Sequence, residues 1–75
     1  MTEDGRKMAI AAEALGAENT ARGTWVYSDG VDRYRVTDRA LVGFADLLTL
    51  FKTREAAYTR WVKLFRVKPL DPYDF

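Results

Sequence analysis

The chain predicts a small α+β fold: an N-terminal helix, a two-stranded antiparallel hairpin, and then one long bent helix or two helices, in the order α-β-β-α-(α). Three observations carry that expectation. The stretch WVYSDGVDRYRV, residues 25–36, alternates side-chain character on both sides of an Asp29-Gly30 pair. A period of two marks strands, and Asp-Gly suits the positive φ of a tight hairpin turn. On either side of the hairpin, apolar residues recur instead at spacings of three and four, the period of a helix. The length of 75 residues suits one domain, and a domain that small buries only about 60–65% of the surface its unfolded chain exposes.

The first helix is expected over Thr2 to Ala17. Glu3 and Asp4 suit the positive end of a helix dipole, Met8, Ala11, Ala12 and Leu15 form its inner stripe, and Gly16 suits the C-cap. The stripe is mostly alanine, so it permits close approach but contributes little buried area. AENTARG then reads as a polar connection.

A two-residue loop at Asp29-Gly30 sets the expected register: Ser28 opposite Val31, Tyr27 opposite Asp32, Val26 opposite Arg33, and Trp25 opposite Tyr34. One face collects Trp25, Tyr27, Tyr34 and Val36. The other collects Thr24, Val26, Val31, Arg33 and Arg35. The aromatic face is expected to be buried, with Trp25 and Tyr34 as a cross-strand pair. An isolated hairpin is barely stable in water, so that face needs a cover.

VTDRALVGFADLLTLF supplies one. Thr37 or Asp38 is a natural N-cap, and Leu41, Phe44, Ala45, Leu48 and Phe51 fall on one stripe that Ala40, Leu47 and Leu50 widen. The pattern weakens at Lys52-Thr53, where Thr53 is able to cap a second helix with Ala57, Tyr58, Trp61, Val62 and Phe65 inside. Periodicity alone leaves one bent helix and two helices both open. Pro69 stops helical structure, so residues 1–68 are expected to form the compact domain and residues 69–75, PLDPYDF preceded by Lys68, an extended tail.

Composition narrows the function. There is no Cys and no His, which removes disulfides, thiolate sites, the most frequent proton-transfer side chain and the commonest transition-metal ligand. The absence of Cys suits a reducing cytoplasm. The N-terminus shows no basic stretch leading into an apolar run, and the longest apolar segment, Ala40 to Phe51, is broken by Asp46 and well short of the ~20 residues a membrane span needs. Asp29, Asp32 and Asp38 have structural roles available as turn, strand edge and helix cap. Ser28 has no base beside it in the sequence, and no glycine-rich phosphate loop occurs. The chain is therefore expected not to be an enzyme and to carry no cofactor or metal.

The net charge of +1 hides a gradient. Acidic side chains outnumber basic ones over residues 1–51, whereas residues 52–68 carry Lys52, Arg54, Arg60, Lys63, Arg66 and Lys68 against Glu55 alone. Such asymmetry marks a surface for an anionic partner or a solvated helix face. Aromatic residues make up 13% of the chain, many for one small core to hide. Interfaces favour aromatic residues and Arg. Arg33 and Arg35 on the hairpin, with Tyr58, Arg60, Trp61, Lys63, Arg66, Tyr73 and Phe75, are accordingly the candidate partner contacts. The favoured expectation is a protein partner. The alternative is a DNA- or RNA-binding regulator, dimeric, in which Arg60, Lys63 and Arg66 contact phosphates. A homodimer would also extend the small sheet.

In general character, a short chain without Cys or His, with no reaction chemistry and with Arg and aromatics on a minimal scaffold, resembles small phage or mobile-element proteins that bind and block a host machine, anti-CRISPR proteins among them. The resemblance implies an inhibitor that acts by occlusion.

Overall fold

The computed structural model describes residues 2–70. In chain order they form helix α1 (Glu3–Leu15), strands β1 (Glu18–Ala21), β2 (Thr24–Ser28) and β3 (Arg33–Thr37), and helices α2 (Asp38–Leu50) and α3 (Arg54–Leu64). The class is the expected α+β. The sheet has three strands rather than two, antiparallel in the order β1-β2-β3.

Helix α1 begins where the Thr2 hydroxyl accepts from the Gly5 N–H at 3.0 Å. It ends at Gly16 in the left-handed region, φ 70°, with the Ala17 N–H reaching back to the Ala12 carbonyl at 2.8 Å. That backward bond satisfies a carbonyl the helix would otherwise leave open. Ala11 and Ala12 are its buried residues, and their small side chains bring α1 close against α2. Lys7 Nζ meets Asp46 Oδ1 at 2.8 Å across that contact.

Strand β1 is the element missing from the sequence reading, which took these residues as a connection. All four of its residues are exposed, so no hydrophobic alternation announces it. It is held by backbone pairing to β2 and by the Asn19 side-chain amide, which donates to the carbonyls of Ala21 and Thr24, both at 3.0 Å.

The β2–β3 hairpin is offset from its expected register. Tyr27 pairs with Tyr34, and Trp25 with Val36. The loop therefore spans four residues, Asp29–Asp32, because the Asp29 carboxylate accepts from the N–H groups of both Val31 and Asp32 at 2.8 Å and closes a wider turn than Asp-Gly alone. Val31 consequently sits at the loop tip, 88% exposed. The slip is by an even number of residues, so Trp25, Tyr27, Tyr34 and Val36 still share the inner face. The stacked aromatic pair is Tyr27–Tyr34, ring centroids 4.8 Å apart, rather than Trp25–Tyr34.

Residues 38–64 form two helices. Phe51 leaves helical geometry with ψ 150°, and the Thr53 hydroxyl accepts from the Ala56 N–H at 3.1 Å to start α3. Helix α2 is the central element, packed on α1, α3 and β3. Leu41 and Phe44 are fully buried with Trp61 of α3. The wide stripe read on α2 is not buried to its end: Leu50 is 77% and Phe51 38% exposed, since the last turn runs past its cover. Phe65 lies over Gly43, where a Cβ would meet its ring at 2.3 Å.

Helix α3 closes with a backward bond from the Val67 N–H to the Val62 carbonyl at 3.0 Å. The residue that makes this turn is Arg66, φ 52°, where glycine is the usual occupant. The chain then returns to the sheet. Pro69 bridges Tyr34, and the Leu70 N–H donates to the Arg33 carbonyl at 2.7 Å, so the start of the expected tail is attached to the edge of β3. No helix among the described residues is long and apolar enough to cross a membrane.

Candidate basic binding face

One face of the sheet packs on the helices. On the other, the cross-strand row Glu18, Val26, Arg35 lies beside the pair Ser28 and Arg33. Arg33 and Arg35 are both exposed there. Because the Arg33 carbonyl points off the edge toward Leu70, strand alternation points the Arg35 backbone off the same edge.

Beside that edge is a groove of about 350 Å³ between Arg35–Ala40 and the returning segment Phe65–Leu70. Arg35, Arg66 and Lys68 line it, with Thr37, Phe65 and Val67, and its lining among the described residues includes no Asp or Glu. Ion pairs among the described residues lie elsewhere: Arg6–Glu3, Lys7–Asp46 and Arg54–Glu55. Asp38, which follows the lining residue Thr37, is held by the Trp25 indole N–H at 2.6 Å and does not line the groove. Helix α2 starts at the same place, with the Thr37 hydroxyl accepting from the Ala40 N–H, so its positive end adds to the three cations. This combination concentrates positive charge on one concavity.

The groove brings together two of the candidate partner contacts that are far apart in sequence, Arg35 of the hairpin and Arg66 beyond the last helix. It does not include Arg60 and Lys63, which are exposed on α3 one turn apart. Trp61 must be corrected: it is fully buried, its indole N–H donating 2.7 Å to the Ala40 carbonyl, so it builds the core and meets no partner. Tyr58 is half-buried, its hydroxyl 2.9 Å from that of Tyr27. Tyr73 and Phe75 lie outside the described residues. Lys68 was read only as one of the basic residues of 52–68, and its place in the groove depends on the Arg66 turn and the Leu70–Arg33 pairing, neither of which has a local signal.

A second cleft, about 440 Å³, separates the end of α1 from the start of α3 and is floored by Leu15, Phe44, Tyr27 and Tyr58. Burial, reinforced by the bond to Tyr58, pushes the Tyr27 hydroxyl well above its ordinary range. At the rim, backbone N–H donors from the loop and the Tyr34 hydroxyl hold the Asp29 carboxyl below the usual range, and the Asp29 carboxylate raises Tyr34 to about 12. Asp29 is thus committed to the hairpin loop, and Arg54 is drawn across toward the Ala14 carbonyl.

Comparison with protein-family models, curated proteins and solved structures finds no match.

Proposed function

We propose that this protein is a non-enzymatic interaction module that binds an acidic surface of a larger protein and acts by occlusion, in the manner of the small phage inhibitors its composition resembles. The observation that carries the reading is the groove lined by Arg35, Arg66 and Lys68, with no acid among its described lining residues, beside an open sheet face bearing Arg33. Exposed ion pairs contribute little individually, about 0–1 kcal/mol. Cations without ion-pair partners among the described residues are instead available to steer and orient an acidic partner. The absence of Cys suits an encounter in a reducing compartment such as the cytoplasm.

A nucleic-acid reading draws on Arg60 and Lys63, exposed and one turn apart. Duplex binding needs an extended row of phosphate contacts, whereas the groove is a single concavity and the net charge is only +1. Fluorescence anisotropy of a labelled glutamate-rich peptide and of labelled single-stranded and duplex oligonucleotides, at low and near-physiological salt, separates the two. The proposal expects the peptide to bind and the oligonucleotides to remain free at near-physiological salt. Tight oligonucleotide binding that weakens steeply with salt would transfer the function to α3.

A further inference from the structure

We infer that the groove between β3 and residues 65–70 recognises a phosphorylated side chain on the protein partner, an inference that rests on the proposed protein-binding reading and specifies the chemistry of the group bound. Three features of the groove select phosphate over carboxylate.

The first is the number of donors. Two arginines and one lysine line a single cavity, with no acid among its described lining residues. One carboxylate would leave most of that positive charge uncompensated, whereas a phosphomonoester brings nearly two negative charges and three acceptor oxygens. Arginine forks match phosphate oxygens in pairs, and Arg clusters are a recurring means of phospho-motif recognition.

The second is where the cations stand. Arg66 occupies a left-handed turn, φ 52°, that costs any non-glycine residue conformational energy. The Arg66 side chain makes no ion pair among the described residues. A strained backbone position occupied by a cation with no ion-pair partner among the described residues is explained by a ligand that the cation contacts.

The third is size and surroundings. The cavity, about 350 Å³, holds one phosphate group and the side chain that carries it. Pro69, which bridges Tyr34, is among its lining residues, and a run of backbone phosphates needs an extended track rather than one concavity. The amino-terminal end of α2 opens on it through Thr37 and Ala40, adding the partial positive charge of a helix start.

The test uses the full chain and three labelled peptides with identical neutral flanks, carrying phosphoserine, glutamate or serine at the centre. Affinities come from anisotropy, and the site from backbone amide NMR shifts. The phosphopeptide is expected to bind at least about tenfold more tightly than the glutamate peptide, shifting the amides of Arg35, Thr37, Arg66 and Lys68. R66G retains the turn and should lose about tenfold or more in phosphopeptide affinity with its fold intact. Equal affinity for the phosphoserine and glutamate peptides would overturn the phosphate inference and leave the acidic-partner reading standing. Phosphopeptide binding unaffected by R66G would place the site elsewhere and overturn it too. If none of the three peptides binds, the inference fails, and the glutamate-rich peptide titration decides the broader reading separately. Displacement of the phosphopeptide by a much more tightly bound oligonucleotide would overturn both.

Discussion

The Trp61 indole N–H donates to the Ala40 carbonyl at 2.7 Å, joining α3 to the first turn of α2 in the fully buried centre of the protein. Trp61 also packs against Phe44, ring centroids 4.9 Å apart, and against Tyr27 and Tyr58. One side chain thus fixes how α3 sits against α2 and the sheet. W61A should cost about 3–5 kcal/mol, the range for deleting a buried aromatic, a large share of the roughly 5–15 kcal/mol a domain has. W61F keeps most of the volume and should cost less, about 1–3 kcal/mol, from the lost hydrogen bond and residual cavity. Urea unfolding checks both, and a W61F midpoint equal to wild type would refute the structural role given to the indole N–H.

Arg66 and Val62 are related through the end of α3, where the Val67 N–H returns to the Val62 carbonyl and Arg66 takes φ 52°. Glycine adopts that conformation without the Cβ clash. R66G should therefore raise stability by up to about 1 kcal/mol, offset partly by the greater freedom of glycine in the unfolded chain. In thermal unfolding that is a rise of no more than about 4–8 °C for a domain of this size. A substitution that stabilises the fold and removes binding would mark Arg66 as a residue kept for contact. A clear loss of stability would show that its side chain supports the turn.

Gly43 and Phe65 form a coupled pair. An added Cβ would lie 2.3 Å from the Phe65 ring, and since Phe65 is 38% exposed the ring has room to move away. Helix propensity favours alanine over glycine by about 1 kcal/mol. G43A should accordingly stabilise the F65A variant by about that much and give a smaller gain, or a loss, in the wild-type background. Denaturant unfolding of the four proteins in a double-mutant cycle measures the coupling, and additive effects would contradict the contact.

Asp29 and Tyr34 give the hairpin a pH dependence at both ends of the scale. The folded Asp29 carboxyl titrates below its ordinary range, chiefly through the Asp32 N–H, then through the Tyr34 hydroxyl and the Val31 N–H. Its contribution is therefore present above the unfolded carboxylate pKa and lost as pH falls through the lowered folded value. Tyr34 is shifted the other way, from 10.0 to about 12. Its contribution is complete below pH 10 and lost as pH rises toward 12. Stability followed by circular dichroism against pH should fall at both ends. Y34F should lessen the alkaline loss, and D29N the acid loss. An unchanged alkaline limb in Y34F would show that the Tyr34 bond to Asp29 does not couple to folding.

Much of the scaffold was legible because its signals are local. Thr37, Thr53 and Gly16 are cap residues with a side-chain or left-handed signature, and Trp25, Tyr27, Tyr34 and Val36 share a face under any even offset of the hairpin. The strand Glu18–Ala21 was illegible because its residues are all exposed and only backbone pairing defines it. The register was missed because the Asp29 carboxylate organises the loop through two N–H groups, an effect the Asp-Gly pair does not encode. The arginines could be named from the sequence. Their grouping could not, since Arg35 and Arg66 meet only after the chain turns at Arg66 and Leu70 pairs with Arg33. Trp61 has two readings in the sequence, an inner residue of its helix and a partner contact, because period alone does not tell a core aromatic from an interface one.

The most direct test of the central claim compares charge reversal at two places, R33E/R35E on the sheet and R60E/K63E on α3, using affinity for the glutamate-rich peptide and melting temperature. A protein-binding basic face predicts that R33E/R35E abolishes binding with a nearly unchanged melting temperature, while R60E/K63E leaves most of the affinity. Loss of binding confined to R60E/K63E, with R33E/R35E binding as wild type, would contradict it.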